Sequence, residues 1–413
     1  MQGENGKMKS DLEQTEIEAP YELPEGWKWI PLLKSFENKT SSNKKLPTKD
    51  YSDAGKYAII DQGQEFIGGY SDKTDFVFDG ELPIIVFGDH TKCIKYIDFP
   101  FIQGADGVKI LKPISIVDSK YFYYALQNIH FPDLGYRRHF PIFKDYQFPL
   151  PPTLAEQQRI VNRIESMFAK LDEAKEKAQN VVDGFETRKA AILHKAFIGE
   201  LTAKWRKENG VSDDSWEEKT IGECGSVYGG GTPSTSHKDY WENGNILWIT
   251  SKDMKNDIIE DSEMHVNMKG IENSSAKFIE KPALLFVMRS GILRRTFPIC
   301  MVKKEFTVNQ DLKALVPYGC VLLEYLFYVC KSNEREILNT CMKNGTTVES
   351  INAKALFDFV IFVPTFPEQV EIVRILDIII EKENKAKQAA EAVLEQIDLL
   401  KKSILARAFR GEL

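Results

Sequence analysis

The chain has 413 residues, 43% hydrophobic and 28% charged, the composition of a folded globular protein of two or three domains. No apolar run approaches the roughly 18 residues a membrane span needs, and the polar start MQGENGKMKSDLEQ lacks a signal-peptide core. Six scattered cysteines without a CxxC pair argue against a disulfide framework or zinc knuckle and suit a reducing cytoplasm, and the net charge of −7 taken alone counts against a nucleic-acid binder.

The charge is unevenly placed. Residues 1–26 carry two lysines against seven acidic residues, or −5. Segment 1–22 is therefore expected to be a disordered acidic tail. The remaining body is near neutral, and a near-neutral domain can still hold DNA through a local basic face.

A first non-helical block, 23–151, opens at Glu25-Gly26-Trp27 and is rich in Gly, aromatic and β-branched residues, as in Leu82-Pro-Ile-Ile-Val-Phe-Gly88. It reads as short strands with loops. Segment 152–201 then reads as one long helix. Apolar residues recur at Ile160, Ile164, Met167, Leu171, Ala174, Ala178, Val181, Phe185 and Ile192, in the alternating steps of four and three of a coiled-coil seam. Pro152 and Thr153 suit its start and Gly199 its end.

Polar segment 202–215 links to a second block, 216–363, which opens at Asp214-Ser215-Trp216 and holds strand-like Asn245-Ile-Leu-Trp-Ile-Thr250. Segment 364–413 is a second long helix, with a seam at Ile372, Leu376, Ile379, Ala386, Ala390, Val393, Ile397, Leu400 and Ile404. Glu383 breaks that seam where Leu171 sits in the first copy. Aligned at an offset of 212, segments 152–201 and 364–413 are identical at 19 of 50 positions without a gap, ending in Phe197-Ile-Gly-Glu-Leu201 and Phe409-Arg-Gly-Glu-Leu413. This is a duplication. Each helix would span about 50–60 Å at 1.5 Å per residue.

Each seam needs a partner. The helices either pack on their own blocks or pair with each other, and two similar seams in one chain favour pairing. The expected fold class is α+β: two globular mixed α/β domains separated by two long helices pairing as an antiparallel coiled coil, with pseudo-twofold symmetry. Such a calliper suits an elongated, roughly twofold target such as a DNA duplex.

No catalytic set stands out. Gly229-Gly-Gly-Thr-Pro-Ser-Thr235 lacks the lysine of a phosphate-binding loop. There is no GxSxG or HExxH, and the six histidines show no metal-ligand spacing. Together these absences favour a binding protein. Polar and basic clusters remain at predicted strand ends: His90, Thr91 and Lys92; Arg137, Arg138 and His139 beside Tyr136; Ser251 and Lys252; Arg289, Arg294 and Arg295. Arg and Lys can fork onto guanine edges or grip phosphate. Each could equally be a solvated loop residue or part of an intramolecular ion pair. Glu156, Gln157, Glu368 and Gln369 are expected to anchor helices and not to touch DNA.

The chain resembles the specificity (S) subunit of type I restriction–modification systems over nearly its whole length after the tail. Leu23-Pro-Glu-Gly-Trp-Lys-Trp29 resembles the family's opening. Tyr57-Ala-Ile-Ile-Asp-Gln-Gly63 with Leu82 to Thr91 resembles one class of its target-recognition domains, and Gly230 to Thr235, Tyr240-Trp241 and Trp248-Ile-Thr250 another. Pro152 to Gln157 and Pro364 to Gln369 resemble the joins to its conserved helices.

The resemblance implies two target-recognition domains, 23–151 and 216–363, each reading half of a split, asymmetric DNA sequence. The paired helices would set the spacer. Their seam residues, Ile160, Ile164, Met167, Leu171, Val181, Ile372, Leu376, Ile379, Val393 and Ile397, would serve pairing and the docking of two methyltransferase subunits. Endonuclease/translocase subunits can join that core. No chemistry is expected in this chain: S-adenosylmethionine, ATP and Mg belong to the partners, and no metal site is expected here. The competing readings are a coiled-coil adaptor with protein-binding domains, and an enzyme with an unrecognised nuclease or methyltransferase centre. The acidic tail lies outside the matched pattern.

Overall fold

The computed structural model describes residues 20–42, 44–105, 107–135, 137–343 and 348–413. The acidic tail up to residue 19, and Tyr136 of the basic cluster, lie outside them. Contacts divide the chain into two compact units, residues up to 179 with 391–413, and residues 180–390.

In the first unit the strands are β1 (Lys28–Pro31), β2 (Phe36–Asn38), β3 (Tyr57–Ile60), β4 (Gly69–Ser71), β5 (Ile84–Gly88), β6 (Ile94–Ile97), β7 (Phe101–Gln103) and β8 (Val108–Pro113). Helix α1 (Ser119–Asn128) and strand β9 (Gln147–Leu150) follow. They form three sheets of order β2-β8-β5-β6, β4-β3-β7 and β1-β9. Every residue of β5 is buried, as expected of an apolar run with both faces covered. Asp118 caps α1, its Oδ1 accepting from the amides of Lys120 and Tyr121 at 3.0 and 2.9 Å.

Helix α2 (Leu154–Asp183) starts on this block. Its Ile160, Val161 and Ile164 share one core with Tyr121, Phe122 and Phe148 of the block and with Ile404, Leu405, Ala408 and Phe409 of the C-terminal helix. Further along, Lys401 Nζ lies 2.6 Å from Asp172 and 5.1 Å over the Phe168 ring. Later residues of α2 thus meet earlier residues of the C-terminal helix, so the pairing is antiparallel.

The second unit holds α3 (Phe185–Phe197), α4 (Ala203–Asn209), β10 (Glu217–Thr220), β11 (Gly225–Gly229), β12 (Ile246–Ile249), β13 (Ile258–Ile259), β14 (Met264–Val266) and α5 (Met268–Glu272). Then come β15 (Ala283–Val287), β16 (Ile299–Val302), β17 (Phe306–Val308), β18 (Leu312–Pro317), α6 (Leu323–Ser332), α7 (Glu334–Cys341), α8 (Ala353–Phe357), β19 (Val360–Val363) and the part of α9 (Phe366–Phe409) up to Ala390, the rest of that helix belonging to the first unit. Its sheets run β11-β18-β15-β16-β13, β14-β12-β17 and β10-β19. Apart from the added edge strand β13, this is the strand order of the first unit. The duplication plain in the helices therefore extends to the blocks.

Helix pairing in this unit is antiparallel too. Lys387 sits 4.8 Å over the Phe185 ring and Arg188 Nε bonds Glu383 at 2.7 Å, while Leu193 and Ala196 join a core containing Ile372, Val373 and Leu376. Both readings of the seams hold at once: each helix stretch packs on a block and on another helix. Glu383, which interrupts the apolar seam, is there to accept from Arg188. Segment 202–215 carries α4, whose buried Arg206 bonds Glu368 at 2.8 Å and Asp213 at 2.9 Å.

Two expectations are corrected. The first repeat is two helices, broken at Gly184 (φ −79°, ψ −6°). A Cβ there would stand 2.5 Å from an Arg188 guanidinium nitrogen, and that guanidinium bonds the Val181 carbonyl at 2.9 Å. The corresponding position of unbroken α9 is Gln396, a good helix former. The second correction is to the α9 seam: Val393 is 40% and Leu400 48% exposed, and Ala386 is exposed as well, so none of the three is a seam residue. The buried side of α9 there runs through Ala390, Ile397, Ile404 and Ala408, with Leu394 and Lys401 half-buried between them. Lys401 takes the place expected of Leu400 because its aliphatic stem covers apolar surface while its amine reaches Asp172. Among the other seam residues, Ile160, Ile164, Ile372, Leu376 and Ile397 are buried, and Met167, Leu171, Val181 and Ile379 are half-buried.

Candidate nucleic-acid interface

Equivalent loops meet at one edge of each block. In the first unit β5 runs into the tight turn 88–93, closed by Gly88 N to Cys93 O and Lys92 N to Gly88 O, both 2.8 Å. Lys92 takes φ +61° to complete it. Three neighbours hold this turn. The β7–β8 loop accepts the Asp89 amide on Gly107 O at 2.6 Å. The loop after β3 supplies Gln62, whose Oε1 accepts from His90 N at 3.1 Å and whose carbonyl accepts from Thr91 Oγ1 at 2.5 Å. His139 and Phe140 run beside it, with His139 N to Asp89 O and Phe140 N to Asp89 Oδ1, both at 2.7 Å.

His90, Thr91, Lys92, Arg137, Arg138 and His139 are thereby brought together. Arg137 and Arg138 are exposed, and no ion pair holds either among the described residues. His139 is a different case. It is fully buried, its ring nitrogens lying 3.0 Å from Asp89 O and 3.2 Å from Pro132 O. It ties two loops together and presents nothing to a ligand. Thr91 likewise spends its hydroxyl on Gln62 and on the Cys93 amide.

The second unit repeats the arrangement. Met288 N donates to Asp311 O and Met288 O accepts from Ile351 N, both at 2.8 Å. Ser290 N reaches Glu349 O at 3.1 Å, and Asn309 N reaches Ile249 O at 3.0 Å, which brings in the loop after β12 that bears Ser251 and Lys252. Arg289, Arg294, Arg295 and Lys252 are exposed there. Glu349 accepts from Arg294, a bond that holds its carboxyl below the usual range, so Arg294 is partly neutralised by its own unit. Arg289, Arg295 and Lys252 have no ion pair among the described residues.

Behind Arg289 lies a cleft of about 630 Å³ lined also by Gln310, Asp311, Lys343 and Ser350. Gln310 and Lys343 went unnoticed in the sequence. A weaker internal repeat, at an offset of 204, would have pointed to this edge: it pairs Lys109, Pro113 and Tyr121 with Lys313, Pro317 and Tyr325. The two tyrosines play one role, bonding the carbonyls of Pro149 and Phe362 at 3.0 and 2.6 Å.

Burial pushes the thiols of Cys224 and Cys300 up to about 11 and about 12, which keeps them neutral and unreactive. Among the described residues no group of three or more His, Cys, Asp or Glu could hold a metal ion, and no helix is long and apolar enough to cross a membrane.

The family model for the type I restriction modification DNA specificity domain matches residues 24–182 and again 213–396. The chain belongs to the type I specificity-subunit family. The specificity subunit of the Escherichia coli type I restriction enzyme EcoR124I/EcoR124II is 30% identical over 365 residues, covering 84% of this chain and 85% of that one. That of the MjaIX enzyme from Methanocaldococcus jannaschii is 32% identical over 191 residues, 45% of this chain and 42% of that one. The solved HsdS subunit from Thermoanaerobacter tengcongensis superposes with a TM-score of 0.60 at 17% identity, covering 95% of this chain and 99% of that one. A chain from a study of complex assembly and conformational transition of the type I R-M system gives 0.64 at 17% identity, covering 95% and 100%. These structures share the fold of this specificity subunit. Each of its two family matches covers one block and most of the long helix that follows it.

Proposed function

We propose that this chain is the non-catalytic DNA-reading subunit of a type I restriction–modification complex, with each block reading one half of a split target. The observation that supports this best is the repeated loop edge: one scaffold built twice, carrying different side chains each time. Because those side chains differ, the two half-sites differ and the target is asymmetric. Lys92, Arg137, Arg138, Lys252 and Arg295 are offered to phosphates, and His90 and Arg289 to base edges. Ser251 and Arg294 do not line the cleft behind Arg289. The paired helices set the spacer and dock two methyltransferase subunits, to which endonuclease/translocase subunits add. S-adenosylmethionine, ATP and Mg are used by those partners in the cytoplasm.

The test is methylation mapping of DNA from cells carrying this chain with its methyltransferase, repeated after exchanging block 27–147 for that of a relative. One half of a bipartite motif should change and the other should stay. Both halves changing would refute the modular reading. If footprinting of the complex gave no sequence-selective protection, the chain would be an adaptor.

A further inference from the structure

The common scaffold lets positions in the two blocks be equated by backbone bonds alone. Met288 donates to Asp311 and accepts from Ile351, as Asp89 donates to Gly107 and accepts from His139. The next residue is Arg289 in one block and His90 in the other. The residue after that carries a hydroxyl in both, and both hydroxyls are spent on the turn: Ser290 Oγ accepts from Ile292 N, as Thr91 Oγ1 accepts from Cys93 N. The neighbour on the other side, Met288 or Asp89, is buried. Arg289 and His90 thus occupy equivalent positions of the two turns.

Resting on the DNA-reading function proposed above, we infer that Arg289 is the base-reading residue of the second block and takes a guanine edge, with His90 its counterpart in the first. Three features set Arg289 apart. Its backbone is pinned on both flanks, by the two bonds of Met288 and by Ser290 N to Glu349 O, and it pairs with Ser350 in an isolated bridge. These bonds fix the backbone from which the planar fork projects. Its guanidinium has no acidic partner among the described residues, whereas Arg294 is engaged by Glu349. It also lines the cleft rather than the rim, beside Gln310. The Gln310 Oε1 accepts from Thr232 Oγ1 at 2.6 Å, which fixes that carboxamide as a second reader and leaves its amide donors available. A cleft carrying arginine and amide donors and, among the described residues, a single carboxylate, Asp311, fits the acceptor-rich major-groove edge of purines.

The experiment uses the full complex of this chain with its methyltransferase, on a library covering single changes at every position of the target. Arg289→Ala should lower methylation of the preferred site by about 5- to 150-fold. It should also relax one base pair, in the half-site that exchange of the second block alters. Arg289→Lys should keep most of the binding but lose the discrimination, since it retains charge without the fork. His90→Ala should affect only the other half-site. A uniform fall across all sequences would make Arg289 a phosphate contact and overturn the inference, as would unchanged preference at every position. Failure of the underlying function reads differently, because the unaltered complex would then show no sequence preference at all. Arg289 is exposed, so unfolding curves of its variants should overlay the parent, which separates a lost contact from a lost fold.

Discussion

At Lys92 a side chain with a Cβ occupies backbone space that favours glycine, at φ +61°. The turn needs this conformation to bond Lys92 N to Gly88 O, so the lysine is kept at some cost in strain. Lys92→Gly should therefore be more stable than Lys92→Ala by about 1 kcal/mol, measured by denaturant unfolding. Equal stability of the two would show that the residue is not left-handed in solution. The loss of the ammonium is common to both variants, so any shared loss of DNA affinity reports the charge and not the turn. His139 makes the complementary point: a histidine beside two arginines suggested a binding cluster, yet burial and two carbonyl partners make it a clamp. Sequence spacing could not tell these cases apart, because burial is a property of what folds over the loop.

Among elements, the joins between blocks and helices are the best matched. Gln157 accepts from Asp118 N at 2.7 Å and donates to Ile116 O at 3.0 Å. Gln369 accepts from Leu322 N at 2.8 Å and donates to Cys320 O and Pro364 O at 3.1 and 2.9 Å. Each amide ties a long helix to the loop before α1 or α6, as the doubled Glu-Gln pair led one to expect. Gln369→Ala and Gln157→Ala should each destabilise the chain by about 1–3 kcal/mol, since buried backbone groups lose their partners. Thermal unfolding checks this, and an unchanged midpoint would mean that water replaces the amide. The seams were legible only in part. Val393 and Leu400 satisfied an apolar repeat, but Lys401 is the residue that reaches Asp172. A hydrophobicity pattern cannot rank a long cationic side chain against a leucine when the stem packs and the head escapes.

For the whole molecule, the charge of −7 is mostly the tail's, and the loop edges carry exposed arginine and lysine. Modest affinity of the isolated chain for DNA, falling steeply with salt, is the expected outcome of a titration at several salt concentrations. Tight binding that resists salt would contradict it. The helices carry the other prediction made at this scale. Adding one heptad to both α2 and α9 lengthens the pair by about 10 Å, or about three base pairs. Methylation mapping should then find a spacer about three base pairs wider with both half-sites unchanged. An unaltered spacer would remove the helices from the role of ruler.

What the sequence determined by itself was the duplicated helix, the order of block and helix, and the family, because these rest on local periodicity and on identities at a constant offset. It also marked the loops that carry the basic groups, since strands ending in polar runs expose their ends. The tertiary structure alone decided three further things. It showed that the blocks share one strand order despite having little sequence in common, because a sheet's order is set by long-range pairing that many sequences satisfy. It closed the first block's core with the last helical turns of the chain, Ile404 to Phe409, far from that block in sequence. It placed Arg289 and His90 at one equivalent position, a correspondence carried by backbone hydrogen bonds and by no similarity of side chain.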